Sequence, residues 1–309
     1  MTRLDALLLL MALIWGTNYA IVKHAFREMD PQAFNAIRMV IASSVFVVMM
    51  LIARRSGASV QVEASPGVFY TPHPMTRREL LALAALGIVG QSLYQYLFIA
   101  GLARTSIANS AVIAAAAPVM IAVVSGVTGE ERLGPAHWLG AALSLLGIYI
   151  VVGPGVKLDG SSVRGDLLML AAMCCWSAYT LGARPLMTRH SPVAVTGISM
   201  VFGALFYVPA VAGHLTGLDW DAVSTMTWVA LVYSATCSLS LSYTIWYAAV
   251  REIGSARTSV YSNLVPVFAM ATAILFVGEP VSGRKIAGAA AVLIGVALTR
   301  VRMLNPAPE

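Results

Sequence analysis

The sequence predicts an all-α polytopic membrane protein with ten transmembrane helices in two inverted five-helix repeats. Of the 309 residues, 59% are hydrophobic and 11% are charged, whereas a soluble domain carries about 25% charged residues. Ten apolar runs are each long enough for a helical span, which needs roughly 20 residues. The third observation is an internal repeat that covers most of the chain.

The ten runs have no alternation of period two, which excludes a β-barrel. Each run is therefore predicted to be one helix. The predicted spans lie at 4–22, 33–53, 80–102, 107–128, 134–153, 166–187, 193–213, 225–250, 257–277 and 284–302.

The repeat appears when Tyr96–Ile150 is shifted by 148 positions without a gap, because it then lies on Thr244–Leu298. Shared apolar composition does not explain the paired Pro, Glu and Gly residues. These pairs are Pro118 with Pro266, Glu131 with Glu279, Gly140 with Gly288, and Gly147 with Gly295. We infer a tandem duplication, with a first repeat at 1–153 that contains a cytoplasmic loop at 54–79, and a second repeat at 166–302. Five spans per repeat is an odd number, so the two halves have opposite orientations.

Charge distribution orients the chain. With the N-terminus inside, the predicted inner segments carry more Lys and Arg than the outer loops, as the positive-inside rule requires. Both termini are therefore predicted to be cytoplasmic, in a bacterial inner membrane. The net charge of +6 follows from this topology and does not indicate a nucleic-acid partner.

Spans 1 and 6 carry the first candidate site residues. Trp15, Asn18 and Tyr19 share one helix face. Trp176 and Tyr179 occupy the positions of Trp15 and Asn18 in the second repeat, 161 residues later. Polar groups on such a face form helix–helix contacts or line a cavity, and their recurrence favours the cavity.

Spans 3 and 8 repeat the pattern. Gln91, Tyr94, Gln95 and Phe98 form one stripe, and an amide facing lipid would leave unpaired polar groups at several kcal/mol each. The corresponding stripe of span 8 is formed by Ser242, Tyr243 and Trp246. We predict that both stripes face a shared substrate cavity.

Three further features are candidates for function. Arg38 in span 2 is an intramembrane cation, which indicates either a substrate contact or a structural residue that extends to the interface. Pro118 and Pro266 are predicted hinges, because proline interrupts helix hydrogen bonding. Thr258 and Tyr261 in span 9 are additional candidate substrate contacts.

The remaining motifs predict no cofactor and no metal site. Cys174, Cys175 and Cys237 lie in apolar spans without metal-ligand spacing. Glycines repeated every seven residues in spans 5 and 10 indicate close helix packing, so these spans are predicted scaffold helices.

The chain resembles the EamA family of the drug/metabolite transporter superfamily over essentially its whole length. The resemblance rests on Trp15-Gly16, Arg38, Pro118, Gly129-Glu130-Glu131, Trp176, Pro266, Gly278-Glu279-Pro280 and Gly288–Gly295. Within the family the chain is most similar to YddG-type aromatic amino acid exporters. The resemblance implies export of small organic metabolites across the inner membrane.

Inverted repeats predict an alternating-access carrier with a site near the midplane. Because no Asp or Glu lies in the middle of a predicted span, we expect transport without obligatory proton coupling. The predicted partners are a small-molecule substrate, most simply an amino acid, and membrane lipid; the sequence does not predict an oligomeric state. Alternatives are a carrier for a nucleobase, an amine or an aliphatic amino acid, a channel, or an intramembrane enzyme using Ser199 with His190 or His214.

Overall fold

All regular secondary structure among the described residues is helical. The computed structural model describes residues 3–57, 68–69, 71, 73–115, 117, 119–120, 135–152, 161–253, 258, 261–262, 264–278 and 282–301. The α-helices of at least five residues are α1 (Arg3–Ala25), α2 (Pro31–Gly57), α3 (Arg77–Gly87), α4 (Tyr94–Arg104), α5 (Ile107–Ala114), α6 (Pro135–Val152), α7 (Ser161–Ala183), α8 (Pro192–Ala210), α9 (Ala212–Thr216), α10 (Thr225–Tyr233), α11 (Ser242–Ile253), α12 (Val265–Thr272) and α13 (Gly283–Val301).

Six helical segments within the described part of the chain are long and apolar enough to cross a membrane. They are Arg3–Ala25, Pro31–Arg55, Arg77–Arg104, Val163–Thr188, Pro192–Ala210 and Thr225–Ile253. The protein is therefore a multi-pass membrane protein.

Three spans that the sequence predicts as plain α-helices contain π-helical segments within the described residues. Ile88–Leu93 joins α3 to α4, Ser234–Leu241 joins α10 to α11, and Ala273–Val277 follows α12. The first two segments overlap when the chain is shifted by 148 positions, so this irregularity follows the internal repeat. A π turn holds one extra residue and occurs frequently at functional sites.

Close helix contacts occur where side chains are absent. A Cβ atom on Gly147 of α6 would lie 2.7 Å from the carbonyl oxygen of Gly288 in α13. A Cβ atom on Gly90 would lie 2.3 Å from Cβ of Tyr179 in α7. Both contacts join a helix of the first half of the chain to one of the second half. The other extensive helix contacts also cross between the halves: α2 with α8, α4 with α7, and α1 with α12.

The spans begin with matched polar caps. The Asp30 carboxylate accepts hydrogen bonds from the backbone of Gln32 and Ala33 at the start of α2. Ser191 caps α8 in the same way, by accepting from the backbone of Ala194 at 3.1 Å. Asp30 and Ser191 are equivalent positions under the 161-residue shift.

A carboxylate also lies at the start of α3 and at the start of α10, the helices that precede the first two π segments. Thr76 caps α3 in a capping box with Glu79, and Arg189 forms an ion pair with Glu79 at 3.0 Å. At the start of α10, Glu28 accepts hydrogen bonds from the Ser224 backbone at 3.0 Å and from the Thr227 hydroxyl at 2.7 Å. Each half therefore supplies a charged side chain to a cap in the other half.

Candidate substrate site

Aromatic rings from four spans form one connected cluster inside the helix bundle. Trp176 lies at its centre, with ring centroids 5.2 Å from Tyr94, 5.3 Å from Tyr243 and 6.2 Å from Trp15. Aromatic pairs at these separations attract one another beyond simple area burial. The members of the ring cluster are Trp15, Tyr19, Tyr94, Phe98, Trp176, Tyr179, Tyr243, Trp246 and Tyr247.

The ring cluster lies where the first and second halves of the chain meet. Trp15 and Trp176 are equivalent under the 161-residue shift of the sequence, and their rings contact edge to face at an interplanar angle of 86°. Gln95 and Tyr243 are equivalent under the 148-residue shift, and the Gln95 amide donates to the Tyr243 hydroxyl at 3.5 Å. Both contacts therefore join the two halves of the chain at the site.

Arg38 is buried at the edge of the ring cluster. Only 1% of its surface is exposed, so its side chain does not extend to the membrane surface. Its guanidinium donates to the Gln95 side-chain oxygen at 2.6 Å and to the Ser234 hydroxyl at 3.0 Å. Through Gln95, the cation is connected to Tyr243 and the rings.

The other polar candidates of spans 1, 3 and 8 are also buried. Gln91 and Ser242 have no exposed surface, and Asn18 is buried. Within the described residues, Asn18 Oδ1, Ser242 Oγ and the Trp246 indole nitrogen lack hydrogen-bond partners. A buried polar atom without a partner destabilises the folded protein by about 1–3 kcal/mol. Such a cost is tolerated most readily where the group has a function, such as binding a ligand.

Tyr19 and Tyr179 extend the ring cluster in opposite directions. The Tyr19 ring lies 5.6 Å from Phe98. The Tyr179 ring lies 5.7 Å from that of Tyr247, and its hydroxyl is hydrogen-bonded to the Ser199 hydroxyl at 2.8 Å. Both tyrosines are buried, and all the candidates of spans 1, 3, 6 and 8 therefore face the bundle interior or its edge.

The predicted substrate contacts in span 9 are Thr258 and Tyr261, and Tyr261 lies outside the ring cluster. Tyr261 donates a hydrogen bond to Asp5 at 2.6 Å, at the beginning of α1. Asp5 and Trp15 are ten residues apart in one helix, or about 15 Å at 1.5 Å per residue. Tyr261 therefore lies near one end of α1, away from the ring cluster. Thr258 is buried.

Of the two prolines that are predicted to act as hinges, the structure describes one. Pro118 lies outside the described residues. Pro266 is in the first turn of α12, which begins at Val265, rather than inside a continuous helix. Proline is tolerated in the first turn because the amide that it lacks has no partner there. The role of Pro266 as a hinge stays a prediction.

Some residues of this region were not predicted from the sequence. Tyr247 joins the ring cluster from α11. Gln32 and Asn35 precede Arg38 at three-residue intervals, and all three are buried. That spacing puts them on one helix face, and this pattern in the sequence could have identified them as a polar face. Tyr207 donates a hydrogen bond to Gln32 and so connects this polar face to α8.

Asp166 was also missed, because its place at the edge of a predicted span indicates an exposed residue. The structure buries it at 3% exposure, and its carboxylate accepts hydrogen bonds from Thr105 and Asn109. Two lysines lie in the same region: Lys285 donates to Ser106 at 3.2 Å, and Lys23 donates to the Thr105 carbonyl. This polar group connects segments that the sequence places at the outer membrane face.

A groove of about 540 Å³ between α2 and α8 is separate from the ring cluster. It is lined mainly by apolar side chains, including Val40 and Val48, and both of these are exposed. Val40 is two residues after Arg38, which puts the two side chains on opposite sides of α2. The groove therefore belongs to the outer surface of the bundle.

Comparison with known proteins identifies the family. The model of the EamA-like transporter family matches residues 2–153 and 163–301. A solved crystal structure superposes with a TM-score of 0.66 over 99% of this chain and 100% of its own, at 19% identity. At that identity the similarity establishes the fold alone.

Curated relatives match over nearly the full length. An uncharacterized transporter of Archaeoglobus fulgidus is 23% identical over 91% of this chain and 93% of its own. A probable amino-acid metabolite efflux pump of Salmonella typhimurium is 24% identical over 96% and 94%. A probable terminal-alkyne amino-acid exporter of Streptantibioticus cattleyicolor is 25% identical over 94% of each chain.

Family membership indicates a membrane transporter of small molecules rather than an enzyme. It agrees with the apolar spans and with the buried cluster of rings and polar groups between the helices. The chain belongs to the EamA-like transporter family.

Proposed function

We propose that the protein exports amino acids, with aromatic ones favoured, across the bacterial inner membrane by alternating access at the ring cluster. The observation that carries the proposal is the contact between equivalent residues of the two repeats, Trp15 with Trp176 and Gln95 with Tyr243. A site at the interface of two halves opens to either side when one half rocks against the other.

The proposed architecture is two inverted five-helix repeats, at 1–153 and 166–302, with both termini in the cytoplasm. Polar contacts between segments support it, because each joins regions that the topology puts on one side of the membrane. On the proposed outer side, Glu28 binds Ser224 and His214 pairs with Asp30. On the proposed inner side, Arg189 pairs with Glu79.

The composition of the site supports an amino acid as cargo. Stacked and edge-to-face rings offer a surface for an apolar or aromatic side chain. Buried amide, hydroxyl and guanidinium groups beside the rings suit the polar end of such a molecule. The printed names of two relatives, an amino-acid metabolite efflux pump and an amino-acid exporter, agree with this cargo class.

We expect transport down the substrate gradient, without obligatory proton coupling. Proton-coupled carriers relay protons through intramembrane acids, and no Asp or Glu lies in the middle of a predicted span. Uptake into vesicles that requires an imposed pH gradient would contradict this expectation.

The deciding experiment is counterflow in liposomes that contain the purified protein. Separate vesicle samples are loaded with unlabelled phenylalanine, leucine, adenine or phenylethylamine, and uptake of the same labelled solute is compared. We expect saturable exchange of phenylalanine, with less exchange of leucine and none of adenine. Exchange of adenine or the amine alone would instead favour a carrier of the same fold for another cargo.

The site itself is tested with Trp176→Ala and Gln95→Ala. Trp176 has ring contacts with several other members of the cluster, so its loss removes the central stacking surface, and we expect at least about a tenfold fall in exchange. Gln95→Ala is expected to reduce exchange because it breaks the link between Arg38 and Tyr243. Trp138→Ala is the matched control, since Trp138 is 50% exposed on α6. Equal activity of Trp176→Ala and Trp138→Ala would exclude the ring cluster as the site.

A further inference from the structure

Arg38 carries a buried positive charge without an acidic partner among the described residues. A guanidinium remains protonated in proteins, and burial of an uncompensated ion costs several kcal/mol. The hydrogen-bond acceptors of Arg38 are the neutral side chains of Gln95 and Ser234. Its Nε finds no acceptor in the described part of the chain.

The acidic side chains near the spans are engaged elsewhere. Asp166 accepts from Thr105 and Asn109, and Glu79 pairs with Arg189. Asp5 accepts from Tyr261. Each of these carboxylates lies close to the end of a span, whereas Arg38 lies beside the ring cluster. None of the ion pairs between described residues includes Arg38.

The groups around Arg38 orient its guanidinium but do not neutralise its charge. Gln95 holds one terminal nitrogen and joins it to Tyr243, while Ser234 of the second π segment holds the other. Asn35, one turn earlier on the same face of α2, has no exposed surface. The cation is therefore fixed in orientation at the border between a polar face and the rings.

We propose that Arg38 binds the carboxylate of the transported solute, while the ring cluster receives the rest of the molecule. The inference rests on the proposed function and names the group that is recognised. A single guanidinium is balanced by one negative charge, which favours a monovalent carboxylate over a phosphate. Guanidinium and carboxylate form strong, charge-assisted hydrogen bonds, often as two parallel bonds.

The first test uses the unmodified protein. Thermal stabilisation of the purified protein and inhibition of phenylalanine counterflow are measured with phenylalanine, 3-phenylpropionate, phenylalaninamide and 2-phenylethylamine. The first two compounds carry a carboxylate and the last two do not, while all four carry the ring. We expect the carboxylates to bind at least about tenfold more tightly, because charge-assisted hydrogen bonds contribute on this scale.

The second test compares Arg38→Lys and Arg38→Met with Arg54→Gln, an exposed arginine on the same helix. Arg38→Met is expected to lose the preference for carboxylates over amides, and Arg38→Lys to retain part of it. Arg54→Gln should behave like the original protein. Should Arg38→Met fail to fold, the series on the unmodified protein and Arg38→Lys still decides.

Two outcomes overturn the inference: equal binding of phenylalanine and phenylalaninamide by the unmodified protein, or an unchanged carboxylate preference in folded Arg38→Met. Either outcome together with continuing amino-acid exchange leaves the proposed function intact. The absence of exchange for every amino acid tested counts against the proposed function. In that case thermal stabilisation by the two carboxylates alone still supports carboxylate binding at Arg38.

Discussion

Gly90 controls how closely the first π segment approaches the ring cluster. A methyl group at this position would overlap the Tyr179 side chain near its root, 2.3 Å from Cβ, where a rotamer change cannot relieve the overlap. Tyr179 also contacts the rings of Trp176 and Tyr247. The absence of a side chain at Gly90 therefore fixes the position of the rings.

We predict that Gly90→Ala destabilises the protein by about 1–3 kcal/mol, the usual cost of overpacking a buried contact, and lowers exchange by displacing Tyr179. Thermal unfolding in detergent and counterflow measure the two effects. Gly213→Ala is the control, because nothing lies within 4 Å of its added Cβ atom. Equal stability of the two variants would contradict the close approach.

Most members of the ring cluster could be predicted at this scale because polar and aromatic types are rare in apolar spans. Gln95, Trp176 and Tyr243 are recognisable by type alone and are buried together. Tyr247 was missed because it follows Tyr243 at four-residue spacing, a position that also fits a residue at the membrane interface. Asp166 was missed because burial at a span end depends on partners from distant segments, Thr105 and Asn109.

At the scale of helices, we expect the cap that Glu28 contributes to α10 to depend on pH. Hydrogen bonds from the side chains of Ser224 and Thr227 lower the pKa of Glu28 below its ordinary value. A carboxylate whose folded pKa is lowered stabilises the fold fully above the unfolded pKa, about 4.3. That stabilisation is lost as the pH falls below this value through the folded pKa.

We therefore predict that acidification below about pH 4.3 lowers the melting temperature of the original protein more than that of Glu28→Gln. Gln retains an acceptor oxygen but does not titrate in this range. Melting temperatures from pH 6 to pH 3 give the comparison, with the exposed Glu252→Gln as control. Identical acid sensitivity in Glu28→Gln and the original protein would exclude a contribution from Glu28.

The predicted bounds of spans 1, 2, 3, 6, 7 and 8 lie within about three residues of the six long apolar helical segments in the described part of the chain, but the π segments were not predicted. Ile88–Leu93 contains a glycine, and Ser234–Leu241 is rich in Ser and Thr. These residues are weak helix formers, but they do not indicate where a π turn forms. Gly90 of the first segment lies against Tyr179. Such a contact joins residues far apart in sequence and leaves no local signal.

For the whole molecule, the proposed inverted repeat makes a prediction that does not depend on substrate. Arg27 and Thr188 are equivalent positions under the 161-residue shift, and both are exposed. Inversion puts them on opposite sides of the membrane. In a background without Cys174, Cys175 and Cys237, we expect a membrane-impermeant maleimide to label Arg27→Cys in intact cells but Thr188→Cys only after permeabilisation. Labelling of both from one side would exclude inverted halves.

The relation between the halves is not a complete symmetry, and Arg38 is where it fails. Its counterpart in the second half is Ser199. This residue carries no charge, and its hydroxyl is hydrogen-bonded to Tyr179. If Arg38 binds the carboxylate of the solute, the solute has one permitted orientation throughout the transport cycle, with its carboxylate toward Arg38. That alignment is fixed to α2 of the first half, so the second half moves around a molecule whose charged end stays in place.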